Sequence, residues 1–153
     1  MEFEIFVFDL DFTIWDAGGS WCDCTNPPYY WRNGKLLDQS NHWIRLYPDV
    51  IEILEKLKSE NKKIVAASRT FEPGWANDLL NLLDIDKYVD LKEIYPSSKI
   101  EHFKQIQQHF NIPYSKMVFY DDEYRNIEEV GQLGVKAVYV RNGVTKKMVD
   151  KFL

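Results

Sequence analysis

The chain has 153 residues, enough for one domain with a substantial core, and its 45% hydrophobic and 28% charged content is globular rather than disordered. A net charge of −5 leaves no electrostatic footprint for duplex nucleic acid or an anionic membrane, and no apolar run reaches the length of a membrane span. The opening residues MEFEIF lack the basic flank of a secretion signal, so a cytoplasmic protein is the expectation.

In chain order, the apolar run Phe3–Phe8 reads as a strand, and it ends in the paired carboxylates of Asp9 and Asp11. From Ile14 to Tyr47 no helical period is visible, yet that stretch is too long to be structureless in a compact domain. It carries Trp15, Trp21, Tyr29, Tyr30, Trp31 and Trp43, with the hairpin signal Asn33-Gly34 between YYWR and KLL. The prediction is a β-hairpin flap over residues 14–47, inserted after the first strand. Its aromatics either plug a hydrophobic flank or, in the case of Trp21 and Trp31, wall a binding mouth. Cys22 and Cys24, one residue apart, would close only a strained ring, and no histidine stands at zinc spacing, so both are expected as free thiols.

Past the flap, helix and strand patterns alternate. Asp49–Glu60 places Val50, Ile53, Leu54 and Leu57 on one stripe. Lys63–Ala67 follows as a strand with Ser68 at its tip, then a helix over Trp75–Leu83 and a weaker edge strand at Leu91–Ile94. Ser98 and Glu101 form a capping box that opens a helix to Phe110. Met117–Tyr120 is a third continuous apolar strand, ending in Asp121-Asp122-Glu123. A helix over Glu123–Leu133, a strand at Ala137–Val140 and a helix over Thr145–Phe152 complete the chain. Short continuous apolar strands separated by helices imply right-handed crossovers. The predicted fold is α/β, a Rossmann-like three-layer sandwich around a central parallel sheet.

In such sheets ligands bind beyond the carboxyl ends of the strands. Those ends carry Asp9, Asp11, Ser68, Asp121 and Asp122, while Lys99 stands at a helix start beside the cap Ser98. Any one of them alone would be an ordinary turn, cap or surface residue. Together they imply a cation, because converging carboxylates repel. Oxygen-only ligands favour a hard ion, and Mg²⁺ takes a few carboxylates plus water and substrate oxygens. An adjacent ammonium and hydroxyl suit a phosphoryl group.

DLDFT, ASRT, SKI and FYDDEYRN, in that order, resemble the four motifs of the haloacid dehalogenase superfamily of phosphotransferases. More narrowly, the chain is similar to its small magnesium-dependent phosphatases, through RLYPDV, EIYPSSKIEHF and LGVKAVYVRNG as well. The resemblance implies one phosphatase domain over residues 1–153 in which Asp9 is the nucleophile and forms an aspartyl-phosphate. Asp11 would protonate the leaving oxygen and then activate water. Ser68 and Lys99 would bind the phosphoryl group, with Arg69 as a further substrate contact. Mg²⁺ would be held by the Asp9 carboxylate, the Asp11 backbone carbonyl and Asp122. Thr13 and Asp121 would support the site, and Asn126 would reach the metal through water. Neither insertion point of the family holds a cap domain, so the site is expected to be open to phosphoproteins, phosphotyrosine included, or to sugar phosphates. The competing expectations are a nucleic-acid end phosphatase, disfavoured by the acidic balance, and a non-catalytic phosphate-binding module, disfavoured by the presence of Asp9, Asp11 and Lys99.

Overall fold

The computed structural model describes residues 2–153. Five strands form the central sheet: β1 (Ile5–Phe8), β6 (Lys63–Ser68), β7 (Leu91–Ile94), β8 (Met117–Asp121) and β9 (Lys136–Tyr139). Their order is β7-β6-β1-β8-β9, and every pairing is parallel. Side-chain alternation explains the continuous apolar runs. Phe6 and Phe8 of β1, with Ile64, Ala66, Val118 and Tyr120, face one core; Ile5 and Val7, with Val65, Ala67, Met117 and Phe119, face the other.

Helices cover both faces. The first core is closed by α1 (Val50–Ser59), α2 (Pro73–Leu82) and α5 (Lys146–Asp150) through Ile53, Leu54, Leu57, Leu79, Leu80 and Val149. The second is closed by α3 (Lys99–Phe110) and α4 (Tyr124–Gly131) through Phe103, Ile106 and Val130. This is the expected three-layer sandwich, and among the described residues no cap domain interrupts it. Ser98 caps α3 as predicted, accepting the Glu101 N–H at 3.2 Å, and Asn111 ends that helix with a left-handed φ of 53°. No helix among the described residues is long and apolar enough to cross a membrane.

The flap differs from the single hairpin expected. It is a four-stranded antiparallel sheet, β2 (Trp15–Asp16), β3 (Tyr30–Arg32), β4 (Lys35–Leu37) and β5 (Trp43–Leu46), in the order β2-β5-β4-β3. The β3–β4 turn has φ of 51° at Asn33 and 76° at Gly34, the two positive values of a type I′ turn. The return to β5 is organised by buried Asp38, whose carboxylate accepts the backbone N–H groups of Asn26, Ser40 and His42. Two-residue β2 and the mixed sequence of β5 carry too little alternation to be read as strands, which is why only the hairpin was legible.

Smaller departures have local causes. Phe3 lies outside β1 and packs edge-on to Phe152. Pro73 opens α2 two residues before Trp75, its missing N–H harmless in a first turn. At the sheet edge, β9 spans Lys136–Tyr139 rather than Ala137–Val140, and its ends are exposed.

Candidate active site

The register of the sheet builds the site. Phe8 of β1 is level with Ala66 of β6 and Tyr120 of β8, so the next residues of three strands emerge along one edge. The chain then folds tightly after β1: the Leu10 carbonyl accepts the N–H groups of Thr13, Ile14 and Trp15, with Phe12 at φ 63°. That turn brings Asp11 back beside Asp9. The result is an open cavity of about 420 Å³ bounded by Asp9, Asp11, Ser68, Arg69, Lys99, Asp122 and Asn126, among others.

Lys99, wholly buried, anchors the floor. Its Nζ lies 3.0 Å from Asp9 Oδ1, 2.6 Å from the Ala67 carbonyl and 3.3 Å from Asp121 Oδ2. Its three N–H donors are therefore matched by three acceptors. Burial pushes the Asp9 carboxyl well above the usual range, the Asp121 charge adds to this, and Lys99 opposes it. Burial likewise raises Asp122 to about 6, with the Asp121 charge contributing.

Asp11 is held by one oxygen. Trp15 Nε1 and the Cys22 backbone N–H both donate to Oδ1, at 2.8 and 2.9 Å, which leaves Oδ2 uncommitted. Burial raises this carboxyl to about 6, against the lowering effect of those two bonds. A carboxyl that changes protonation near neutrality can both give and take a proton. Ser68 Oγ accepts the Thr70 N–H at 3.3 Å, so its hydroxyl hydrogen stays free.

Two of the nine predicted residues lie behind the cavity rather than on it. Asp121 is fully buried, accepting from Glu123 N and Asn126 Nδ2 and facing Lys99. Thr13 is also fully buried; its carbonyl accepts the Val144 N–H, and its hydroxyl has no partner. Asn126, which lines the cavity, donates Nδ2 to Asp121 Oδ2 at 3.0 Å and accepts from Arg69 Nη1 at 3.2 Å.

A cation fits this donor set. One carboxylate oxygen from each of Asp9, Asp121 and Asp122 lies within 4.8 Å of the others, all are hard donors, and a single ammonium faces them. Asp11, Cys22 and Asp23 also cluster. There the carboxylates already accept from Trp15, Cys22, Thr70 and Phe71, and the one soft donor is a thiol that burial keeps protonated.

The flap contributes one aromatic to the mouth and not the other. Trp21, 54% exposed, lines the cavity, as does Phe71, 77% exposed. Trp31 instead lines a separate groove with Trp43 and Tyr88, correcting the expectation that it walls the site. Asp23, Thr70, Phe71, Glu123 and Arg125 also line the cavity. Asp23, Phe71 and Arg125 carry no signal of this role in the sequence, since a charged or aromatic residue in a short turn, a loop or a first helical turn is ordinary, whereas Thr70 belongs to the ASRT stretch and Glu123 follows the Asp121-Asp122 pair. Cys22 and Cys24 are free, as expected.

Residues 3–153 match the acid phosphatase family. The chain is 42% identical to human magnesium-dependent phosphatase 1 over 152 residues, which is 98% of this chain and 85% of that protein. It is 38% identical over 142 residues to a haloacid dehalogenase-like hydrolase superfamily protein of Schizosaccharomyces pombe, covering 84% and 80% of the two chains. Among solved structures, the phosphatase domain in the N-terminal part of a Bacteroides fragilis protein, complexed with Mg, superposes with a TM-score of 0.66 at 20% identity. That match covers 92% of this chain and 37% of the other. The motif order, the sheet and these matches agree: the chain belongs to the acid phosphatase family, within the haloacid dehalogenase superfamily.

Proposed function

We propose that the protein is a magnesium-dependent phosphomonoesterase that works through Asp9. The observation that carries this reading is the buried Asp9–Lys99–Asp121 contact set beside Asp11, whose second oxygen is free. The Asp9 and Asp122 carboxylates and the Asp11 backbone carbonyl would hold the metal. When bound, Mg²⁺ neutralises carboxylate charge and draws negative charge from the phosphoryl oxygens.

The chain's own groups supply the rest. An Asp9 oxygen attacks phosphorus in line, forming the aspartyl–phosphorus bond as the ester P–O bond breaks. Asp11 gives its proton from Oδ2 to the departing oxygen. It then takes a proton from water as that water attacks phosphorus, freeing inorganic phosphate and restoring Asp9. Lys99 holds Asp9 in place and lowers the energy of its charged form. Because its donors are already matched, it acts on the phosphoryl group mainly as charge. The Ser68 hydroxyl and neighbouring N–H groups cradle the phosphoryl oxygens. Asp121 orients Lys99, and Asn126 and Arg69 buttress Asp121, with Arg69 also within reach of the substrate.

An open mouth without a cap, rimmed by Trp21 and Phe71, suits phosphate esters carried on bulky groups: phosphotyrosine and other phosphoprotein sites, or phosphorylated sugars. The test is a screen of purified protein with Mg²⁺ against phosphorylated peptides, amino acids and sugars, with Asp9→Asn as the blank. Phosphate release should be lost on adding EDTA, return with Mg²⁺, and fall by on the order of 10³-fold or more in Asp9→Asn. An Asp9→Asn protein that keeps its turnover would remove Asp9 as the nucleophile.

A further inference from the structure

The flap reaches the catalytic centre at a second residue that the motifs do not contain. Residues Cys22–Cys24 form a single 3-10 turn, with Thr25 N–H and Thr25 Oγ1 both closing onto the Cys22 carbonyl. At the middle of this turn Asp23 grips the loop that follows β6. Thr70 Oγ1 donates to Asp23 Oδ1, and the Phe71 N–H donates to Oδ2 at 3.0 Å. That loop is itself ordered around Thr70, whose N–H goes to Ser68 Oγ and whose hydroxyl oxygen accepts the Glu72 N–H. One residue before Asp23, the Cys22 N–H donates to Asp11 Oδ1.

We infer that Asp23 is a positioning residue: by latching the flap's turn onto the Thr70–Phe71 loop, it fixes the Cys22 N–H against Asp11 and so sets the aim of the free oxygen that serves the leaving group. The Cys22 N–H and the Asp23 carboxylate are adjacent on one short turn. A turn released from Thr70 and Phe71 loses its only side-chain tie to that loop apart from the long Cys22 Sγ–Thr70 contact of 3.7 Å. Asp11 then depends on Trp15 Nε1 alone. The consequence falls on proton donation rather than on binding, since neither Asp9 nor Ser68 touches the turn. This deepens the proposed function and rests on reading Asp11 as the proton donor.

Leaving groups separate a latch from a brace. Phenyl phosphate needs a proton on its departing oxygen far more than 4-nitrophenyl phosphate does, and kcat/KM reports the step in which that oxygen leaves. Asp23→Asn keeps the shape of the side chain but cannot accept from both Thr70 and Phe71. It should lower kcat/KM for phenyl phosphate about 10- to 100-fold and that for 4-nitrophenyl phosphate less than about threefold, with KM little changed. Thr70→Val keeps the Asp23 charge and removes its hydroxyl partner, together with the acceptor of the Glu72 N–H and the long Cys22 Sγ contact; it should show the same dependence on leaving group. The double variant should lose little more than Asp23→Asn alone. Equal losses on both substrates, or a Thr70→Val protein with no such dependence, would overturn the latch. Asp11→Asn is the control. If it shows a leaving-group-dependent loss and Asp23→Asn does not, the latch alone fails. If Asp11→Asn shows none, the role of Asp11 fails and the latch fails with it.

Discussion

His102 provides a measurable link between the site and the stability of the fold. It sits on α3 one turn from Lys99, fully buried, with Nε2 3.0 Å from the Tyr95 carbonyl and the Tyr95 ring edge-on at 4.4 Å. Nε2 therefore carries the hydrogen, and Nδ1 is buried without a partner. Burial, and then the Lys99 charge, lower its pKa from 6.5 to about 4, with Arg69 adding a smaller push. A depressed histidine means the unfolded chain binds the proton first, so stability is complete above pH 6.5 and is lost as pH falls toward 4. At about 1.36 kcal/mol per pH unit, the loss is about 2 kcal/mol at pH 5 and about 3 kcal/mol below pH 4. Asp11 and Asp122 run the other way: raised to about 6, they favour the folded state below 3.8 and lose that contribution as pH rises through 6. The His102 share is isolated by comparison with His102→Gln, whose amide can still donate to the Tyr95 carbonyl. Urea unfolding in EDTA from pH 8 to pH 4.5 should show wild-type stability falling relative to the variant by about 2 kcal/mol near pH 5. A difference that stays constant across this range would refute the assignment of His102 as a buried neutral imidazole.

Lys99→Met should remove turnover and lower unfolding stability by about 3 kcal/mol, because Asp9 and Asp121 lose their shared counter-ion; wild-type kcat in a folded variant would contradict this. Gly143→Ala should destabilise by more than about 2 kcal/mol in thermal or urea unfolding, since φ is +84° and a Cβ would stand 2.1 Å from the Tyr47 ring. The adjacent Val144 N–H holds the Thr13 carbonyl, so activity should fall with it, and an unchanged melting temperature would contradict the clash. Trp21→Ala should alter relative kcat/KM across aryl and sugar phosphates, whereas Trp31→Ala, in the other groove, should leave the ratios unchanged; the reverse pattern would move the substrate to the wrong wall.

What could be read from the chain alone was whatever rests on local periodicity or on residue type at an element's end. Runs such as Ile5–Phe8 and Met117–Tyr120 are apolar at every position because α-helices bury both faces, and that signal survives without coordinates. The carboxylates at the tips of β1 and β8 were legible only as a set: one alone would pass for a turn or cap residue, but several at the ends of parallel strands repel unless a cation sits among them. Contacts between segments far apart in sequence decided the rest. Asp23 looks like any loop aspartate until the fold brings it to Thr70, 47 positions away, and Arg69 becomes a buttress only when α4 presents Asn126. The same holds for Trp21 and Trp31, alike in type and ten positions apart: the first stands at the start of the Cys22–Cys24 turn and the second on β3, and they line different grooves. Periodicity is a property of neighbours along the chain, whereas hydrogen bonds and cavity walls are set by neighbours in space, and only the tertiary structure supplies those.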